Sequence, residues 1–103
     1  MAKGYWVVFA DVNDPEGYKE YIAANGGALA KYGARFIARG GKTEPQEGSP
    51  RARVIVLEFP TYTAALDCYR SPEYRNAMKL RHGRSEWDMA ITEGYEGPQP
   101  VAA

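Results

Sequence analysis

From Gly4 to Asp11 the chain reads GYWVVFAD, with apolar residues at both alternating sets: Tyr5, Val7 and Phe9 on one, Trp6, Val8 and Ala10 on the other. Aromatic and β-branched residues without a breaker predict a strand, and the double apolarity predicts one covered on both faces. Asn13, Asp14 and Pro15 then punctuate. Asp14 is a good helix N-cap, Pro15 suits the first helical position and Glu16 suits the first turn. Tyr18, Tyr21, Ile22, Asn25, Leu29 and Tyr32 recur at helical spacing and share one face, and Gly33 supplies the stop. Gly26 and Gly27 each cost about 1 kcal/mol relative to Ala in mid-helix, so close packing or a bend is expected there.

The second half repeats the alternation. Residues 34–42 predict a second strand, and TEPQEGSP is turn chemistry that leads antiparallel into a third, Arg53–Phe59. Pro60 and Thr61 cap a short helix, Tyr62–Tyr69; Ser71 and Pro72 repeat the cap-plus-proline signal for another helical segment ending near Gly83. Trp87–Tyr95 predicts a fourth strand. The order βαββαβ is the split β-α-β pattern of α+β ferredoxin-like folds, with its two helical regions on one face of a four-stranded antiparallel sheet. Residues 1–96 read as one domain and 97–103 as a flexible tail. Helices for one face only, under strands apolar on both, leave a bare face that a second copy covers most economically, so a homodimer is expected.

Charge and composition narrow the partners. Thirteen Lys plus Arg balance thirteen Asp plus Glu in 103 residues, which gives no net field for nucleic acid or an acidic membrane. The longest apolar run, Tyr5–Ala10, is far short of the ~20 residues of a membrane span, and no targeting segment is read, so a cytoplasmic location is expected. The topology also underlies an RNA-recognition module, and Tyr5, Trp6 and Phe9 are potential stacking residues. Arg53–Phe59, however, lacks the basic-glycine-aromatic signature, and a dimer would bury the stacking face. Cys68 is the only cysteine and His82 the only histidine, so no metal-ligand spacing is present. Gly40 and Gly41 precede no helix, which argues against a nucleotide loop; they suit a bulge or a tight strand exit, and no cofactor is expected. Cys68 reads as a small buried apolar group.

Asp14-Pro15 before a Tyr-rich helix, Arg39-Gly40-Gly41, Glu47-Gly48, Glu58-Phe59-Pro60, Tyr69-Arg70-Ser71-Pro72-Glu73-Tyr74, Arg81 and Glu93-Gly94 form an ordered set across nearly the whole chain. In this set the chain resembles the domain of unknown function 1330 family, small bacterial proteins of the dimeric α+β barrel superfamily. The resemblance implies two ferredoxin-like sheets packed face to face. It brings no catalytic residue, because the superfamily holds monooxygenases, isomerases, dehydratases and proteins without known chemistry.

The residues themselves offer candidates, each with two readings. Arg39 and Glu58 lie on adjacent strands. Brought together, they make either a site, with the guanidinium holding a carboxylate or enolate and Glu58 moving a proton, or a structural ion pair. Tyr69 and Tyr74 flank the helical break and either present hydroxyls to a ligand or pack as core. Arg81 and His82 either reach a cleft, as anion clamp and as acid or base, or complement a helix dipole with Lys79 and Arg84. The expectation is a small-molecule cleft between sheet and helices, taking a carboxylated or aromatic ligand, with Arg39, Tyr69, Tyr74 and Arg81 as ligand-binding residues and Glu58 and His82 as catalytic candidates. Whether it turns a ligand over by cofactor-independent acid–base or oxygen chemistry, or only senses it or docks a protein partner, is open at this level.

Overall fold

The chain folds, in a computed structural model that describes residues 2–102, as β1 (Gly4–Val12), α1 (Pro15–Lys31), β2 (Arg35–Arg39), β3 (Arg53–Phe59), α2 (Tyr62–Arg70), α3 (Pro72–Lys79) and β4 (Ser85–Glu93). The strands form one antiparallel sheet in the order β2-β3-β1-β4, the ferredoxin-like arrangement expected from the sequence. All three helices lie on one face. Trp6, Val8 and Ala10 of β1 and Ile55, Leu57 and Phe59 of β3 point to that face and are buried. Tyr5, Val7 and Phe9, with Val54 and Val56 across the ladder from Phe9 and Val7, point to the other face and are only partly covered.

The helix ends obey their signals. Asp14 Oδ1 accepts the Gly17 N–H at 3.0 Å with Pro15 opening α1. The helical break falls at Ser71, whose extended backbone ends α2 while its Oγ accepts the Tyr74 N–H at 3.1 Å and donates to Cys68 O at 2.7 Å. Cys68 is fully buried, as expected of a small apolar group.

Several boundaries differ from the sequence reading. β2 stops at Arg39, not residue 42, because Gly40 turns the chain at φ +66° while its N–H still reaches Val54 O at 2.9 Å. Residues 40–52 then run without helix or strand, so the connection to β3 is far longer than a tight turn. The last helix ends at Lys79 and residues 80–84 turn into β4, which begins at Ser85. The expectation of close packing at Gly26 and Gly27 fails: both are exposed, with open space where a Cβ would stand, and α1 runs through them unbroken.

Candidate functional site

The site grows out of how α1 is carried. α2 presses on β1, β3 and β4, whereas α1 docks mainly on α3, and its large side chains bridge the gap to the sheet. Between α1 and the β2–β3 edge lies a small cavity of about 30 Å³, walled by Tyr18, Tyr21 and Asn25 from the helix, by Ile55 and Leu57 from β3, and by Trp87 from β4. Arg39 and Arg53 supply its charge. A wider groove of about 470 Å³ opens at the start of α1, and Tyr18, Ile22 and Arg53 belong to both spaces.

Arg39 reaches this cavity because of a bulge. Arg35 pairs with Glu58 and Phe36 with Leu57, but Ala38 pairs with Val56, so Ile37 is an extra residue in β2. One extra residue reverses the faces of all that follow. Arg39 therefore lies opposite Ile55, on the helix side, with its guanidinium 4.1 Å from the Phe36 ring centroid. Glu58 stays on the other face, where it accepts the Tyr5 hydroxyl at 2.8 Å and faces the Arg35 guanidinium at 3.5 Å. The structure thus does not bring Arg39 and Glu58 together, as a site or as an ion pair; the partner of Glu58 is Arg35.

Donors without acceptors mark the cavity. Arg53 Nε and Trp87 Nε1 are buried and make no hydrogen bond, and the same is true of Arg81 Nε one layer behind. Arg81 is a buried residue whose guanidinium lies 3.8 Å from the Trp87 ring centroid and 5.7 Å from that of Tyr21. Neither Arg39, Arg53 nor Arg81 pairs with a carboxylate among the described residues, whereas Arg35, Arg51 and Arg84 all do. Gly40 makes room for this charge: a Cβ there would stand 2.6 Å from an Arg53 terminal nitrogen. A buried N–H left unpaired costs about 1–3 kcal/mol, more when charged. The nearest acceptors within the chain are phenols, Tyr18 beside Trp87 and Tyr74 beside Arg81, and no carboxylate among the described residues pairs with these groups.

The phenols are donors too, not bases. Burial pushes the Tyr21 hydroxyl far above its ordinary pKa, and the neighbouring Tyr74, 2.7 Å away oxygen to oxygen, adds to the rise. Burial raises Tyr18 and Tyr74 as well. These rings stay neutral at physiological pH. On the rim, the Asp11 carboxylate accepts from the Ala52 N–H at 3.1 Å and from Arg51 at 2.9 Å, which holds its pKa low and leaves it engaged.

Of the residues singled out from the sequence, Arg39 lines the cavity. Arg81 lies behind Trp87, and its burial rules out a purely solvated place at the end of a helix. Tyr74 is fully buried behind Tyr21, and Tyr69 packs half-buried against Trp6 and Tyr74, so neither touches the cavity. His82 is exposed on the turn before β4. Arg53 and Trp87 were missed, although β3 carried a signal: Arg53 opens the inward series that continues with Ile55, Leu57 and Phe59, so a charge stands where the alternation calls for an apolar group. Among the described residues no cluster of three or more His, Cys, Asp or Glu could hold a metal, and no helix is long and apolar enough to cross a membrane.

Solved structures share this fold. A Rhodopseudomonas palustris protein of unknown function matches at 17% identity over 93% of this chain and 85% of its own, with a TM-score of 0.69. A hypothetical Arabidopsis thaliana protein matches at 13% identity over 100% of this chain and 94% of its own, with a TM-score of 0.67. SnoaB, a cofactor-independent oxygenase from Streptomyces nogalater, matches at 12% identity over the full length of both chains, with a TM-score of 0.60. At such identities the likeness establishes the fold alone. Among curated proteins, none matches the chain in sequence. The family model described as Domain of unknown function (DUF1330) matches residues 3–95, and the chain belongs to that family.

Proposed function

We propose that this protein binds a small carboxylated or aromatic organic anion in the cleft between α1 and the sheet. The observation that carries the reading is the pair of buried donors without a hydrogen bond, Arg53 Nε and Trp87 Nε1, on residues lining one cavity that no carboxylate among the described residues lines. An oxyanion there would satisfy both donors and neutralise guanidinium charge that the fold leaves uncompensated. Arg39 would close over the ligand from the mouth, and Arg81 would back the indole of Trp87 with positive charge. Tyr69 and Tyr74 would support the wall through Tyr21 and Trp6 without touching the ligand. Isothermal titration with phenylacetate tests this. Wild type should bind, and Arg53→Gln should weaken binding by about ten- to a hundredfold, the size of a charged hydrogen bond. Equal binding by both proteins would remove Arg53 from the site.

The geometry favours binding over acid–base turnover. The inner cavity is lined by no carboxylate and no imidazole, Glu58 faces the other side of the sheet and His82 is exposed. A second reading is oxygen chemistry without a cofactor, the activity named for SnoaB. It is favoured by a cation-lined, aromatic-walled space suited to an enolate. With the phenols neutral, the substrate would have to ionise before or on entering. The enolate carbon would then bond to dioxygen, and a proton from water would complete a hydroperoxide. Dioxygen uptake on addition of an enolisable aromatic ketone would support turnover; none would leave the binding role alone.

We further propose that the protein is a cytoplasmic homodimer joined through the open sheet face. Val7, Phe9, Val54, Val56 and Ala90 make the centre of that face apolar, while Arg51 with Asp11, Glu86 and Asp88 at one end and Tyr5 with Glu58 and Arg35 at the other frame it with charge. An apolar centre with a polar rim is the anatomy of a protein interface. Sedimentation equilibrium should give about twice 11.4 kDa, and a monomer at micromolar concentration would defeat the proposal.

A further inference from the structure

The two spaces beside α1 differ in size and in lining, and they share Tyr18, Ile22 and Arg53. The inner cavity, about 30 Å³, has room for a few water-sized centres, each needing about 10–15 Å³. Its lining includes Arg53 and Trp87, whose buried Nε and Nε1 make no hydrogen bond. That space admits an oxyanion head and excludes a ring. The outer groove, about 470 Å³, is walled by Ala10, Val12, Pro15 and Ile22, and has Lys19 and the engaged Asp11 at its rim. It offers mainly apolar surface, and Arg53 at its inner end is its one link to the unpaired donors. Tyr18, Ile22 and Arg53 stand at the junction, so a molecule held by Arg53 in the inner space can project its remainder past Tyr18 into the groove.

Building on the anion reading of the inner cavity, we infer that the ligand is a single amphiphilic monocarboxylic acid of the arylalkanoic type. Its carboxylate lies inward on Arg53 and Trp87, a short spacer passes Tyr18, and an aromatic or equally compact apolar body lies outward along Ile22 and Val12. The inner space is too small for a second charged group beside the first. The groove presents Lys19, already held 3.1 Å from Glu16, as the nearest additional cation. A dicarboxylate or a phosphate ester therefore finds no second buried donor set in the groove, whereas an apolar body finds a wall.

Dissociation constants of acetate, phenylacetate and phenylacetamide, measured by NMR titration of the whole chain, test the assignment. Phenylacetate should bind about tenfold or more tightly than acetate because its ring leaves water in the groove, and phenylacetamide should bind far more weakly than the acid. The exposed Ala52 borders the groove but not the inner cavity. Ala52→Trp should therefore fill the groove, erase the advantage of phenylacetate and leave acetate binding unchanged. Acetate binding as well as phenylacetate would overturn the amphiphile while sparing the anion site. The same is true of a ring advantage that survives in Ala52→Trp. Equal binding of amide and acid, or no binding of any of the three, would overturn the anion reading and this inference with it.

Discussion

Arg53 is where local rule and fold conflict. Its position in β3 faces inward opposite Ala10, yet it carries a charge whose Nε finds no partner. Residues kept at some cost to stability are commonly functional. Arg53→Met should therefore leave the ligand-free protein as stable as wild type or more so in urea denaturation. A loss of about 1 kcal/mol or more would instead make Arg53 a structural cross-link. Ser71 is the opposite kind of residue. It is buried, and its hydroxyl serves the Tyr74 N–H and the Cys68 carbonyl at once, so Ser71→Ala should cost about 1–2 kcal/mol, measured in the same way. A change within error would mean that the break between α2 and α3 is held by packing alone. Ser71 was legible because a cap is written in neighbouring residues. Arg81 was named as a candidate, but its stacking on Trp87 was not legible, since it joins a turn to a strand that only the tertiary fold brings together.

Secondary structure followed the pattern wherever its period was regular. β1, α1, β3 and the starts of the two short helices lie where alternation, helical spacing and caps place them. β2 shows why the site was harder to read. An unbroken strand would put Arg39 on the same face as Glu58; the extra residue Ile37 puts it on the other, and nothing in RFIARGG distinguishes a bulged strand from a regular one. The glycines of α1 carry a further lesson. A Gly pair in a helix suggests a close neighbour, but here the space beyond Gly26 and Gly27 is open. Gly26→Ala and Gly27→Ala should each stabilise the protein by about 0.5–1 kcal/mol through helix propensity and reduced freedom of the unfolded chain. The check is the thermal midpoint of each variant. Destabilisation by either would show that this stretch of α1 meets a partner, such as a second subunit.

At the scale of the whole molecule, two layers have different jobs. The helix side holds a core of linked aromatic rings, from Tyr18 and Tyr21 through Tyr74 to Trp6 and Phe59, and the cleft is its polar flaw. The open side carries the proposed subunit contact, where Val56→Asp should dissociate the dimer in sedimentation while a monomeric wild type would remain unaffected. The core also sets the alkaline limit. The hydroxyls of Tyr18, Tyr21 and Tyr74 are all raised by burial, so the folded state binds their protons more tightly than the unfolded chain does. Their contribution is present in full below the ordinary phenol pKa of 10.0 and is lost as pH rises through the higher folded-state values. Tyrosinate absorbance from these rings should appear together with loss of near-ultraviolet circular dichroism, and ionisation in an intact fold would contradict their burial. The central claim, an anion held by the unpartnered donors of the cleft, has a direct reporter in the two tryptophans. Trp6 Nε1 already donates to Ala65 O at 2.9 Å, whereas Trp87 Nε1 makes no well-formed hydrogen bond and has only the Tyr18 hydroxyl near it. On titration with phenylacetate, the indole N–H resonance of Trp87 should move strongly downfield while that of Trp6 stays in place. A Trp87 signal that does not move at saturation, or a shift confined to Trp6, would contradict the account.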